Sequence, residues 1–235
     1  MDLPNFQTLL YAFIGGLLPA LLWLWFFLRE DRAHPEPRSI IVIAFTAGML
    51  SVLAVIPAER AVMAYASGTT LIILWSAIEE VFKYAAAVIA AFWHKDLDEP
   101  VDTIVYMITV ALGFAAFETG LFLLEPFTEG DIAGGILTGN LRFMGAALLH
   151  TLASAIVGAC IAFTFYKGPV VKFISLCTGL ILATALHALF NFFIMESNGE
   201  KASLVFFAVW LGIIVLFLLF EKAKRVRRPL RKLMK

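Results

Sequence analysis

The sequence predicts an all-α fold, a multi-pass transmembrane helix bundle of about seven spans, and three observations carry that prediction. The 235 residues are 61% hydrophobic and 14% aromatic, with 22 phenylalanines. Charged residues make up only 15% and mean hydropathy is +0.90, too little polar surface to cover a water-soluble globule of this length. The apolar residues fall in runs of about 18 or more, the length that crosses a bilayer. A soluble enzyme, a disulfide scaffold, a disordered tail and a nucleic-acid binder are all disfavoured. Cys160 and Cys177 lie inside apolar runs and read as small buried hydrophobes rather than a bridge or a metal pair.

The spans fall at about 6–28, 39–56, 69–93, 101–124, 141–166, 169–195 and 203–221. The first lacks a basic leader and a small-residue cleavage site and reads as a retained anchor, kinked at Pro19. The second is the shortest, closed by the connector Pro57-Ala58-Glu59-Arg60. Further connectors are His34-Pro35-Glu36-Pro37, Asp96 to Pro100, Glu125 to Asp131, and Ser197-Asn198-Gly199. No soluble domain fits between them, so residues 1–235 are expected to form a single membrane domain ending in a basic tail at 222–235. Trp23, Trp25, Phe26 and Phe27 read as lipid-facing or interfacial anchors.

Orientation follows from the basic residues. Arg29, Arg32, Arg38, Lys95, Lys167, Lys172, Lys222, Lys224, Arg225, Arg227, Arg228, Arg231, Lys232 and Lys235 flank one side, and only Arg60, Arg142 and Lys201 the other. The excess marks the cytoplasmic side, which puts the N-terminus outside and the C-terminus inside.

Ionisable residues within spans are costly, about 2.5–3.5 kcal/mol each on insertion scales, and mark function by default. Here the third span carries Glu79, Glu80 and Lys83, the fourth Glu118, the fifth His150, and the sixth His187 with Asn191. At 1.5 Å per residue, Glu79, Glu80, His150, His187 and Glu118 lie roughly 9–17 Å below the outer ends of their spans, a common layer in the outer half of the membrane. Four helices thus present carboxylates and imidazoles to one level, as bundles do when they build interior sites. Glu79 and Lys83, four apart, share a face and can pair; adjacent Glu79 and Glu80 point about 100° apart, so one is expected to act while the other orients. His150 with Ser154, and His187 with Asn191, are also i,i+4 pairs. Two carboxylates and two imidazoles suit either a metal such as zinc with an open water position or a carboxylate acting directly as general base; both give hydrolysis. The residues alone leave a non-catalytic scaffold and a proton-coupled transporter as alternatives.

The motifs Glu79-Glu80-Val81-Phe82-Lys83, Asp98-Glu99-Pro100-Val101-Asp102, Gly113 to Glu118, Arg142 with His150, and His187-Ala188-Leu189-Phe190-Asn191 resemble, in order and spacing over residues 75–195, the PrsW family of intramembrane proteases. That family is similar in turn to the glutamate-dependent CAAX prenyl protease and bacteriocin-immunity superfamily, but Phe114 to Glu118 is the FxxxE version, unlike a prenyl protease proper. The resemblance implies an intramembrane endopeptidase cutting a membrane-anchored protein, such as an anti-sigma factor, on its extracytoplasmic side. It makes Glu79 and Glu80 the catalytic pair, with water activation at Glu79, His150 and His187 essential, and Asn191 an oxyanion partner. Lys83, Glu118, Arg142 and Ser154 would support them, and Glu118, His150 and His187 form the expected metal set, with zinc the candidate ion. Thr119 departs from the family pattern, where many relatives carry Asn.

Overall fold

The computed structural model describes residues 4–32, 34–196 and 201–228, and among these it is helical throughout, with no strand. The helices are α1 (Phe6–Phe27), α2 (Arg38–Val62), α3 (Gly68–Ala87), α4 (Asp102–Thr128), α5 (Ile132–Leu141), α6 (Ala147–Phe163), α7 (Pro169–Glu196) and α8 (Ala202–Lys224). One π turn, Val88–Phe92, extends α3, and a second, Arg142–Ala146, joins α5 to α6 into one continuous element. The seven expected spans are thereby accounted for. Six are long and apolar enough to cross a membrane; α3 does not meet the same standard because Glu79, Glu80 and Lys83 sit together within it.

α4 is the axis of the bundle. It carries no charge between Asp102 and Glu118 and is apolar all round, the mark of a helix buried on every side. From Asp102 to Ala116 every one of its residues is buried, and α1, α2, α3, α5 and α6 all pack on it. α2 meets it through a glycine on each helix: a Cβ on Gly113 of α4 would stand 2.0 Å from the Phe45 carbonyl oxygen, and one on Gly48 of α2 2.0 Å from that of Val110. Small residues at such crossings let backbones touch, which is how helices associate in a lipid solvent. Gly158 brings α6 against Ile104 in the same way.

The boundaries correct the sequence reading in two places. α2 runs to Val62, so it is not the shortest span, and Pro57 to Arg60 are helical rather than a connector. Pro57 lacks only one donor, and the helix continues past it to Val62 although its buried apolar residues end at Val55. The fifth span begins at Ile132 rather than near 141, capped by Asp131, whose side chain accepts from the Gly134 N–H. The turn before it is confined to Glu129–Asp131, with Gly130 at φ 78°, a left-handed conformation suited to glycine. Ser197 to Gly199, and Arg231, Lys232 and Lys235 of the tail, lie outside the described residues. Both cysteines are free but half-buried rather than fully buried. The aromatic stripe of α1 divides: Trp25 and Phe26 are exposed, Phe27 is buried, and Trp23 packs on Phe143 and Trp210.

At the end of α4 away from Glu118, Asp102 accepts from the N–H groups of Asp98 and Glu99 (3.0 and 2.7 Å), and the Tyr106 hydroxyl donates to Glu36. Sixteen residues separate Asp102 from Glu118, about 24 Å along the helix. The Asp98–Asp102 motif is therefore a loop lock, remote from the acidic and imidazole groups.

Candidate active site

α3, α4, α6 and α7 bring Glu79, Glu80, Lys83, Glu118, His150, Ser154 and His187 into one cluster, as their membrane depths predict. The cluster forms although the fifth span starts at Ile132, which lengthens the helical path to His150 from nine residues to eighteen. Glu80 and Lys83 are completely buried, and Glu79, His150 and His187 are each at most 5% exposed.

Glu80 is the hub. Its Oε1 accepts from Lys83 Nζ (2.6 Å) and lies 2.9 Å from His187 Nδ1, and its Oε2 accepts from the Ser154 hydroxyl (3.2 Å). Three donors on one carboxylate explain how a charge survives here, since a buried ion must be paired and hydrogen-bonded. Ser154 and Asn191 do not serve their i,i+4 histidines in the expected way: Ser154 turns to Glu80, and Asn191 lines the cavity beyond His187.

Lys83 lies 3.8 Å from Glu79 Oε2, so its closer pairing is with Glu80, and its Nζ is also 2.8 Å from His150 Nδ1. An ammonium has donors only, so His150 Nδ1 must accept; the proton is then on Nε2, which donates to Glu118 Oε2 at 3.0 Å. By the same reasoning His187 donates from Nδ1 to the Glu80 carboxylate and keeps an unprotonated Nε2.

Glu79 stands apart from its neighbour. Its Oε2 is buried without a hydrogen-bond partner, and it faces His150 Nδ1 and His187 Nε2, each at 3.8 Å. One ligand atom from each of these three residues lies within 4.8 Å of the others. Tetrahedral nitrogen and oxygen ligands at 2.0–2.1 Å from a metal stand about 3.3 Å apart, so the two 3.8 Å separations from Glu79 need to close by roughly half an ångström, and no pair in the trio by more than about 1.5 Å, to hold an ion. The donor chemistry, the spacing and the orphaned oxygen all fit a divalent metal. Glu118, expected in the ligand set, is instead held by the Arg142 guanidinium and by His150 Nε2.

Arg142 also donates from Nε to the Thr119 hydroxyl (3.0 Å) and lies over the Phe122 ring. Thr119, the departure from the family pattern, thus supplies the polar neighbour that its position lacked on paper. The Phe143 carbonyl lies within the π turn that begins at Arg142 and accepts from the Trp23 indole N–H at 3.1 Å.

A cavity of about 610 Å3 opens onto Glu79, Glu118, His150 and His187 and runs toward the ends of α2 and α7, past Glu59, Asn191 and Met195. Glu59 and Trp75 were not singled out from the sequence. Glu59 continues the three-to-four spacing of Val52, Val55 and Ile56, a signal hidden by Pro57. Phe114 is a further member: its ring packs 5.3 Å from His150 and under Lys83 Nζ at 4.6 Å.

A nest of carboxylates and imidazoles that opens onto a cavity within a bundle of long apolar helices fits an intramembrane hydrolase. The chain belongs to the PrsW family of intramembrane metalloproteases, whose family model matches residues 36–220. It is similar to the protein named protease PrsW in Geobacillus kaustophilus (strain HTA426), 28% identical over 207 residues, 83% of this chain and 86% of that one. The protease PrsW of Oceanobacillus iheyensis is 28% identical over 211 residues (86% and 92%), and that of Bacillus subtilis (strain 168) 25% over 226 residues (93% and 97%). No solved structure matches the chain significantly. The protein is therefore an intramembrane protease acting within a lipid bilayer on membrane proteins.

Proposed function

We propose that this bacterial protein is a zinc-dependent endopeptidase of the cell membrane, cutting a membrane-anchored, anti-sigma-factor-like protein on its extracytoplasmic side. The observation that carries the reading is the buried, unpartnered Glu79 Oε2 facing two imidazole nitrogens. Glu79, His150 and His187 would hold the ion. A divalent ion bound there supplies Lewis acidity toward the scissile carbonyl and acidifies a water molecule. Glu79 has two oxygens, so one would help hold the ion while the other would take the proton of the attacking water and pass it to the leaving amine. Glu80 orients His187 by accepting from its Nδ1–H, the carboxylate-to-imidazole support that fixes a ligand's tautomer. Asn191 and Arg142, on the cavity wall, supply donors for the developing oxyanion. Glu118 and Thr119 hold the Arg142 side chain against the wall.

The outer depth of the cluster and the basic residues on the opposite side support an extracytoplasmic cut. The test uses proteoliposomes holding the full chain and a reporter with one transmembrane helix and a tagged extracytoplasmic segment. Cleavage is expected in wild type, with a loss of at least about 100-fold in Glu79→Ala and His187→Ala. Elemental analysis should find near-stoichiometric zinc in wild type and none in a monodisperse His150→Ala, His187→Ala double variant. Undiminished cleavage in both single variants would sink the assignment.

A further inference from the structure

The geometry points to Lys83 as an internal occupant of the metal site: its ammonium holds the lone pair of His150 Nδ1, and a divalent ion gains that nitrogen only by displacing Lys83 onto Glu80. The inference rests on the reading that Glu79, His150 and His187 hold the ion. It starts from an asymmetry between the two histidines. His187 has its Nδ1 engaged by Glu80 and its Nε2 directed at Glu79 Oε2 with the lone pair uncommitted. His150 has both ring nitrogens engaged, Nδ1 by Lys83 at 2.8 Å and Nε2 by Glu118 at 3.0 Å.

An imidazole nitrogen has one lone pair, so Nδ1 cannot accept from Lys83 and ligate at once. Lys83 also stands 3.8 Å from Glu79 Oε2, which places a cation against two of the three donors. Its withdrawal needs no new partner, because Glu80 Oε1 already accepts from it at 2.6 Å and the Phe114 face lies 4.6 Å away. Lys83 is thus a positioning residue with two effects. It presets the Nε2–H tautomer of His150, leaving Nδ1 as the nitrogen to be ligated, and it lowers the site's affinity for metal by the cost of its own displacement.

The test measures zinc affinity by competition with a chelating dye, on detergent-purified full-length wild type, Lys83→Met, His150→Ala, the double variant of the two, and His187→Ala. Methionine keeps an unbranched side chain one atom shorter and without the ammonium, and Glu80 retains Ser154 and His187 as donors. Lys83→Met is expected to bind zinc about tenfold more tightly than wild type, the equivalent of one hydrogen bond, and to lose most of that gain when His150 is alanine. Equal affinity in wild type and Lys83→Met overturns the inference. So does a gain that persists without His150, which would reduce Lys83 to a nearby charge. Absence of His187-dependent zinc binding in wild type and Lys83→Met alike overturns the metal reading itself, and is distinguishable from the first two outcomes. A second measurement needs no Lys83 variant: nitrogen NMR of histidine-labelled, zinc-free wild type, with His150 assigned by its absence in His150→Ala. Nε2 protonated and Nδ1 accepting, with Nδ1 shifting on zinc addition, is the expected pattern. A protonated Nδ1 before zinc is added would refute the arrangement.

Discussion

Glu79 and Glu80 are adjacent in the chain, chemically identical and both buried, yet their environments assign them opposite duties. Glu80 is held by Lys83, His187 and Ser154, while Glu79 Oε2 has no donor at all. Glu79→Gln should therefore leave thermal unfolding in detergent essentially unchanged while cutting substrate cleavage roughly 10²–10⁴-fold. Glu80→Gln leaves the Lys83 ammonium buried beside a neutral amide, and removal of one partner of a buried pair costs about 3–5 kcal/mol. Its unfolding temperature should fall clearly below wild type, and equal stability of the two variants would contradict the division. The motif predicts that one glutamate acts and the other orients, since neighbours on a helix point about 100° apart. Which donors choose between them was not legible, because Ser154 and His187 come from helices 74 and 107 residues away.

Among the elements, α4 shows what apolar periodicity can and cannot reveal. Its length and lack of charge mark a buried span, but its neighbours are chosen by backbone approach at particular glycines. Gly113→Val would drive a side chain into the Phe45 carbonyl, 2.0 Å from the first added carbon. This variant should yield little monodisperse protein on gel filtration. Gly139→Ala, by contrast, meets only the Leu123 side chain, at 3.8 Å or more, and should be tolerated, with about 0.8–1.0 kcal/mol of better helix propensity in its favour. Comparable losses in the two would mean that close approach at α4 does not govern packing. The π turn at Arg142–Ala146 is the element least readable in advance. No residue type encodes it; its contacts come from far along the chain, Trp23 donating to the Phe143 carbonyl and Glu118 and Thr119 accepting from Arg142.

For the whole molecule, the basic residues predict an N-terminus outside and a C-terminus inside. In a background with Cys160 and Cys177 replaced by alanine, Glu129→Cys should react with an impermeant maleimide on intact cells, and Lys167→Cys only after permeabilisation. The reverse pattern would invert the topology and place the cluster nearer the cytoplasm. Membrane class, span count and the membrership of Glu79, Glu80, His150, His187 and Glu118 in one layer were all readable from the chain, because hydropathy and 1.5 Å of rise per residue act locally along it. Hydropathy fails at Pro57–Arg60, where a proline and two charges look like a connector although α2 stays helical to Val62 and turns Glu59 toward the cavity, and at residue 132, where a capping Asp131 starts the helix nine residues early. The chain's local chemistry thus established which side chains share a depth. Only the packing of helices around α4 decided which of them touch, that Lys83 rather than Ser154 meets His150, and that Glu118 turns to Arg142 while Glu79 is left open, because rotation about a helix axis is set by neighbours distant in sequence.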